Sequence, residues 1–166
     1  MSEAPDGGHD SRSDEDQRVE SSPPAPDGDA YSWYRRGLDL LGRGSAAAAA
    51  QLLQRAAEAE PGSRSVLEAL GRAQFDAGRY AAAADSFRQI VEASPSDDYA
   101  HFGLGLALAR DGNPAAAAEH LALAAAMRPD LPHYTDALRG VRATLRARAG
   151  APEPPASRPP GGDAPR

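Results

Sequence analysis

The sequence contains no cysteine and no lysine, is poor in aromatic side chains, and offers no long apolar run. Without cysteine there is no disulfide, no thiolate metal site and no cysteine nucleophile. The longest apolar stretches, such as 121–127, fall far short of the ~20 residues a bilayer-spanning helix needs. No basic stretch precedes an apolar one at the N-terminus, so no export signal is read, and a soluble cytoplasmic protein without membrane contact is expected. All eighteen residues of the Lys+Arg class are arginine. Together with the many alanines, this fits a GC-rich, bacterial coding sequence before it fits any functional choice. The aromatics amount to one Trp, five Tyr and three Phe, so their placement carries information.

The formal charge of −6 is unevenly spread. Residues 1–29 hold nine carboxylates, two arginines and almost no large apolar side chains. Residues 149–166 are dominated by Pro, Gly, Ala and Ser. Neither segment buries enough surface to offset the entropy of ordering it, so both read as disordered tails. Between them lies a near-neutral region that carries nearly all the Leu, Phe, Tyr and Trp. An acidic tail on a neutral core lacks the basic stripe expected for nucleic acid.

That central region has a beat of 34 residues. Pro61, Pro95 and Pro129 keep it, as do Gly37, Gly71 and Gly105, and Gly44, Gly78 and Gly112. Ala49, Ala83 and Ala117 follow the same interval, and so does the bulky row Leu53, Phe87 and Leu121. A fixed period of this length marks an array of helical hairpins, none of which can bury its apolar face alone. Apolar residues between the phased positions recur at helical spacing: Val66, Leu67, Leu70 and Phe75, then Ala83, Phe87, Ile90 and Val91. Gly44, Gly78 and Gly112 stand where a chain leaving a helix needs a left-handed residue. Asn113-Pro114 is a cap and first-turn pair. Each proline stops a second helix, and Ser63, Ser96 or Asp97, and Asp130 are placed to cap the next. Gly37, Gly71 and Gly105 lie inside first helices, where glycine costs about 1 kcal/mol against alanine. Close packing on Ala49, Ala83 and Ala117 is the expected compensation.

Chemistry-bearing motifs are missing. His9 lies in the acidic tail, His101 in a packing row, His120 on the outward part of a second helix and His133 beside a groove row, so the histidines define no site. No metal-ligand spacing, phosphate-cradling glycine loop or paired-acid motif is present, and Gly103 and Gly105 flank Leu104 within a helix. No enzyme, cofactor or metal is expected.

The units resemble the tetratricopeptide repeat. The match is carried by Trp33, Gly37, Gly44, Ala49, Leu53, Ala56 and Pro61 in the first, and by Leu70-Gly71, Gly78, Tyr80, Ala83, Phe87 and Pro95 in the second. Leu104-Gly105, Gly112, Ala117, Leu121, Ala124 and Pro129 carry it in the third. Arg36 and Ile90 depart mildly from the pattern. The resemblance implies an all-α, right-handed solenoid of three helix-turn-helix repeats at 30–63, 64–97 and 98–131. A capping helix at 132–148 completes it, with Leu138 in phase with Leu70 and Leu104 and a polar face of Arg139, Arg142 and Arg146.

The resemblance further implies that first helices line a concave groove. Its rows are Tyr31, Ser65, Tyr99 and His133; Tyr34, Glu68, Phe102 and Asp136; Leu38, Arg72, Leu106 and Gly140; and Leu41, Phe75, Ala109 and Ala143. Asp76 and Arg110 lie at the edge. Aromatics give large contact area at low entropy cost, and this face gathers Tyr31, Tyr34, Phe75, Tyr99 and Phe102. The expected partner-binding groove is therefore Tyr31, Tyr34, Leu38, Glu68, Arg72, Phe75, Tyr99, Phe102, Leu106 and Arg110. Arg72 is placed to meet a carboxylate or carbonyl, or to pair with Glu68 or Asp76 on its own helix. Family members that act with chaperones clamp a C-terminal carboxylate with lysines and asparagines in these rows. Here Tyr34, Leu38, Glu68 and Arg72 stand there, so that activity is not expected. The function implied is a protein–protein interaction module binding a peptide or helix, as a monomer or weak homodimer. The alternative is structural self-association. The acidic tail from Asp6 to Glu20 also has a candidate contact in the arginines at 139, 142, 146 and 148, which otherwise form a solvated helix face.

Overall fold

Seven α-helices make up all the regular structure among residues 29–150, the part of the chain that the computed structural model describes. They are α1 (Ala30–Gly42), α2 (Ala46–Ala59), α3 (Arg64–Asp76), α4 (Tyr80–Ala93), α5 (Asp98–Arg110), α6 (Pro114–Met127) and α7 (Pro132–Ala149). Residues 1–28 and 151–166, which hold the tails, lie outside the described residues. Each helix packs on its chain neighbours, and α1, α3, α5 and α7 also touch one another in order. The chain is thus an α-solenoid with one layer of odd-numbered helices and one of even-numbered helices.

The hairpins are closed by the phased glycines, at φ +78° (Gly44), +74° (Gly78) and +90° (Gly112), where an L side chain is strained. Gly62, outside the beat, does the same between α2 and α3 at φ +81°. Capping follows the local chemistry. The Asp29 carboxylate accepts from Ser32 N (2.7 Å), Asp97 from Ala100 N (2.9 Å) and the Asn113 amide oxygen from Ala116 N (3.3 Å). Ser63 caps α3 by position without a side-chain hydrogen bond. Asp130 does not cap α7, whose N-cap is Leu131; its carboxylate is drawn to Arg128 instead (2.8 and 2.9 Å).

Two buried clusters run through the solenoid. One joins α1, α2 and α3 through Ala49, Leu53, Leu70 and Ala73. The larger runs from Leu67 and Phe87 through Leu104, Leu108 and Leu121 to Leu138 and Val141. Helix α5 sits between α4 and α6 and touches α3 and α7, so it is apolar nearly all round, as a helix covered on several sides should be. The glycines inside first helices compensate their cost differently from the expectation: they face the bulky row of the second helix rather than the alanine row. A Cβ on Gly37 would stand 2.6 Å from Leu53 Cγ, and one on Gly105 2.6 Å from Leu121 Cγ. Gly105 also approaches the alanine row, at the Ala117 carbonyl oxygen (3.2 Å).

Phe87 is a special case. A Cβ on Gly71 would meet its ring at 2.8 Å, and a Cβ on Gly103, in the next hairpin, would meet it at 2.6 Å. The ring is 2% exposed and held between two glycine backbones, with no room to yield. Glycine-to-alanine changes in helices ordinarily stabilise by about 1 kcal/mol. Gly103→Ala is predicted to do the opposite, costing about 1–3 kcal/mol by overpacking, while Gly140→Ala, with nothing within 4 Å of its Cβ, should stabilise by about 1 kcal/mol. Urea unfolding of the two variants checks the opposite signs.

Repeat three also holds a histidine pair. The buried His101 ring sends Nε2–H to the Pro95 carbonyl (3.0 Å), which leaves its Nδ1 as acceptor for Nδ1–H of His120 (3.0 Å). Burial first, and then the neighbouring His101, hold His120 below the ordinary histidine value of 6.5. The unfolded chain therefore takes up the proton that the folded chain resists, so this contribution is complete above about pH 6.5 and is lost as pH falls below it. The unfolding midpoint of His120→Gln should fall less steeply between about pH 7 and pH 5 than that of the native chain. Equal slopes would contradict the assignment.

Candidate binding groove

All ten groove residues expected from sequence lie on the layer of first helices. Tyr31, Tyr34 and Leu38 are on α1; Glu68, Arg72 and Phe75 on α3; and Tyr99, Phe102, Leu106 and Arg110 on α5. Arg72, Phe75, Tyr99 and Leu106 surround a single depression of about 240 Å³ between α3 and α5, completed by Asp76, Phe87 and Gly103.

The geometry of this depression follows from the packing just described. Gly103, lacking a Cβ, lets α5 close onto the Phe87 ring, which lies almost fully buried at the floor of the depression. Tyr99 meets that ring edge-on (6.3 Å between centroids, 72°), and Phe75 is fixed edge-on against Tyr80 (5.3 Å, 66°). The walls are therefore aromatic and held by their neighbours, with a cation and a carboxylate at the rim. Arg72 is exposed and forms no ion pair among the described residues. Glu68, one of its two expected partners, is turned to Arg64 (2.8 Å). Burial pushes the Tyr99 phenol up, against the opposing influence of the nearby Arg72 guanidinium. The phenol therefore stays neutral at physiological pH and can donate or accept a hydrogen bond.

The remaining residues serve other contacts. Tyr34 and Leu38 are half-buried against the first cluster. Tyr31 is 62% exposed, and Arg35 lies over its ring at 5.9 Å with Nη1–H donating to its hydroxyl (3.3 Å). Phe102 stacks on Tyr134 (4.4 Å, 20°) and meets His133 edge-on (5.3 Å) at the α5–α7 joint. Arg110 is exposed at the end of α5. The joints between first helices are pinned by polar bonds. Arg64 of α3 reaches Asp97 at the cap of α5 (2.5 Å), and the Tyr134 hydroxyl of α7 donates to Asp98 (2.9 Å). Burial opposes ionisation of Asp97, but the Arg64 bond and the Ala100 amide outweigh it and hold the carboxyl below its ordinary value.

Sequence reasoning missed Gly103 and Phe87 as parts of this depression, and Tyr134 as the stacking partner of Phe102. Gly103 could have been noticed as a helical glycine off the beat: one period earlier stands Ala69. Tyr134 falls in the core row of Val66 and Ala100, which explains both its burial and its absence from the groove rows. Among the described residues no three His, Asp or Glu side chains are grouped to hold a metal ion, and no helix is long and apolar enough to cross a membrane.

Stacked hairpins with this packing define a helical-repeat interaction fold. A family model described as tetratricopeptide repeat matches residues 34–98 and 69–132. The chain belongs to the tetratricopeptide-repeat family. Among curated proteins nothing matches it. Solved structures with the same fold include the first tetratricopeptide domain of Spaghetti (RPAP3) bound to the HSP90 peptide SRMEEVD, at 18% identity, TM-score 0.66, covering 70% of this chain and 93% of that one. The Sgt2 tetratricopeptide domain from Aspergillus fumigatus matches at 19% identity and TM-score 0.67, over 85% and 93% of the two chains. MamA from Desulfovibrio magneticus matches at 21% identity and TM-score 0.68, over 73% and 68%.

The Tyr134–Asp98 bond is one of the pins that set the angle between α5 and α7. Tyr134→Phe keeps the stack on Phe102 but removes the bond, and should cost about 0.5–1.5 kcal/mol in urea unfolding.

Proposed function

We propose that the protein is a non-catalytic adaptor or scaffold that binds an extended peptide or helix of a partner along a groove on the odd-numbered helices. The observation that carries this reading is the depression between α3 and α5, where aromatic walls adjoin an Arg72 that has no ion pair among the described residues. Rigid aromatics and arginine are the side chains on which binding energy concentrates. In this reading one apolar side chain of the ligand enters between Phe75, Tyr99 and Leu106 onto the Phe87 ring. Arg72 takes a carboxylate or carbonyl beside it.

Further support comes from the related RPAP3 domain, whose structure holds a peptide. The chemistry proposed here differs from a lysine-built carboxylate clamp, since the chain has no lysine and a single arginine stands among rings. Cytoplasmic location and a monomeric state belong to the same proposal.

Selection of displayed random peptides against the full chain tests the reading. Selected peptides should carry an apolar residue near an acidic one, and Arg72→Glu or Tyr99→Ala should each weaken their binding at least tenfold, about 1.4 kcal/mol. Binding that both variants leave unchanged while their unfolding curves match the native chain would overturn it. Self-association is separated by light scattering: a concentration-independent monomer mass agrees with the adaptor, and a stable dimer does not.

A further inference from the structure

A second depression, of about 550 Å³, lies elsewhere, along one face of α7. It is lined by Thr135, Leu138, Arg139, Arg142, Leu145 and Arg146. The 34-residue beat says which face this is. Thr135 stands in the row of Trp33, Leu67 and His101, Leu138 in that of Leu70 and Leu104, and Arg142 in that of Leu40, Gln74 and Leu108. Arg139 stands in the row of Gly37, Gly71 and Gly105. In the earlier units the glycine row is where the bulky residue of the second helix seats, and Gln74 and His101 in two of the other rows bond Ser86 and His120 of their own second helices. The face is thus the hairpin face of a fourth unit. An arginine in place of the glycine bars a second helix from seating there.

The face is apolar at its centre and cationic along its rim. Arg139 is paired with Asp136 (2.8 Å), but Arg142 and Arg146 form no ion pair among the described residues. Arg146 complements the negative end of α7, yet Arg142 lies a turn further in, where the helix dipole no longer accounts for it.

We infer that this face is the docking site of the chain's own acidic segment, centred on Asp10, Asp14, Glu15 and Asp16. Three observations favour that occupant. The charges are complementary: residues 1–28 hold eight carboxylates and two arginines, whereas the described part of the chain is near neutral. The reach suffices, because α1, α3, α5 and α7 touch in order, so α7 lies three helix steps of ~8–10 Å from α1, about 24–30 Å away. The stretch from Asp29 back to Asp16 alone spans roughly 43 Å when extended. Tethering also raises the local concentration to the order of millimolar, far above that of a second copy's segment in a dilute solution. The docked segment covers the uncovered end of the solenoid and leaves the depression between α3 and α5 free.

The native absence of cysteine permits a direct test in the full chain. A nitroxide attached through Ser13→Cys should broaden the amide signals of residues 135–146 at about 20 mM salt, and the broadening should vanish at about 0.5 M salt. It should also vanish in Arg142→Glu/Arg146→Glu and weaken in Asp14→Asn/Glu15→Gln/Asp16→Asn. The inference is overturned by α7 signals that stay sharp at low salt, or by broadening that persists in Arg142→Glu/Arg146→Glu. It is equally overturned if broadening appears only when spin-labelled unlabelled-isotope chain is mixed with isotope-labelled chain lacking the nitroxide, since the occupant is then a second copy. An unfolding curve for Arg142→Glu/Arg146→Glu that matches the native chain establishes that lost broadening reflects lost docking. If that variant fails to fold, the Asp14→Asn/Glu15→Gln/Asp16→Asn chain and the salt series decide the matter.

Discussion

The Phe87 ring is the contact on which the rest of the structure depends. It belongs to the second helix of one hairpin, fills the space left by Gly71 in its own first helix, and fills that left by Gly103 in the next hairpin. A helical hairpin cannot bury its apolar face alone, so stability in an array comes from the interfaces between neighbours. Here one side chain serves the interface within a hairpin and the interface between hairpins. At the other two positions of its row, Leu53 and Leu121 fill only the glycine of their own hairpin among the glycine contacts.

The same contact shapes the candidate groove. Close approach of α5 to Phe87 requires a residue without a Cβ, and the buried ring that fills this space lies at the floor of the depression. Tyr99 and Phe75 then stand on either side of it, each held edge-on to another ring. Arg64, bonded to both Glu68 and Asp97, engages one of the carboxylates expected to pair with Arg72 and ties α3 to the cap of α5. Packing, charge and groove geometry at this joint are thus a single arrangement, with the exposed guanidinium of Arg72 at its rim. At the far end of the array the logic reverses. Arg139 occupies a glycine row, the hairpin face of α7 stays open, and charge replaces packing as the means of covering it.

The fold was legible because its signals are periodic. Prolines, turn glycines and the bulky row repeat at one interval, and each has a local physical meaning that does not depend on the partner it meets. The helix ends were also readable where the capping residue acts within its own turn, as at Asp97 and Asn113. What the rows could not give was contact between residues outside the beat. Gly103 breaks no pattern within its helix, and its meaning appears only when Phe87 arrives from another hairpin. Tyr134 sits in a core row and reaches Phe102 and Asp98 across a joint. His101 and His120 occupy different rows on different helices, so nothing in their spacing announces the hydrogen bond between them. Row reading treats positions as equivalent between repeats, and these contacts are the places where the repeats differ.

The central claim is that the Phe87 ring is both the joint between hairpins and part of the floor of the binding site. Intermolecular nuclear Overhauser effects between the full chain and a selected peptide measure this directly. The account predicts contacts from the ring protons of Phe87 and Tyr99 to one apolar side chain of the peptide. Contacts confined to the even-numbered helices, with none to Phe87 or Tyr99, would contradict it.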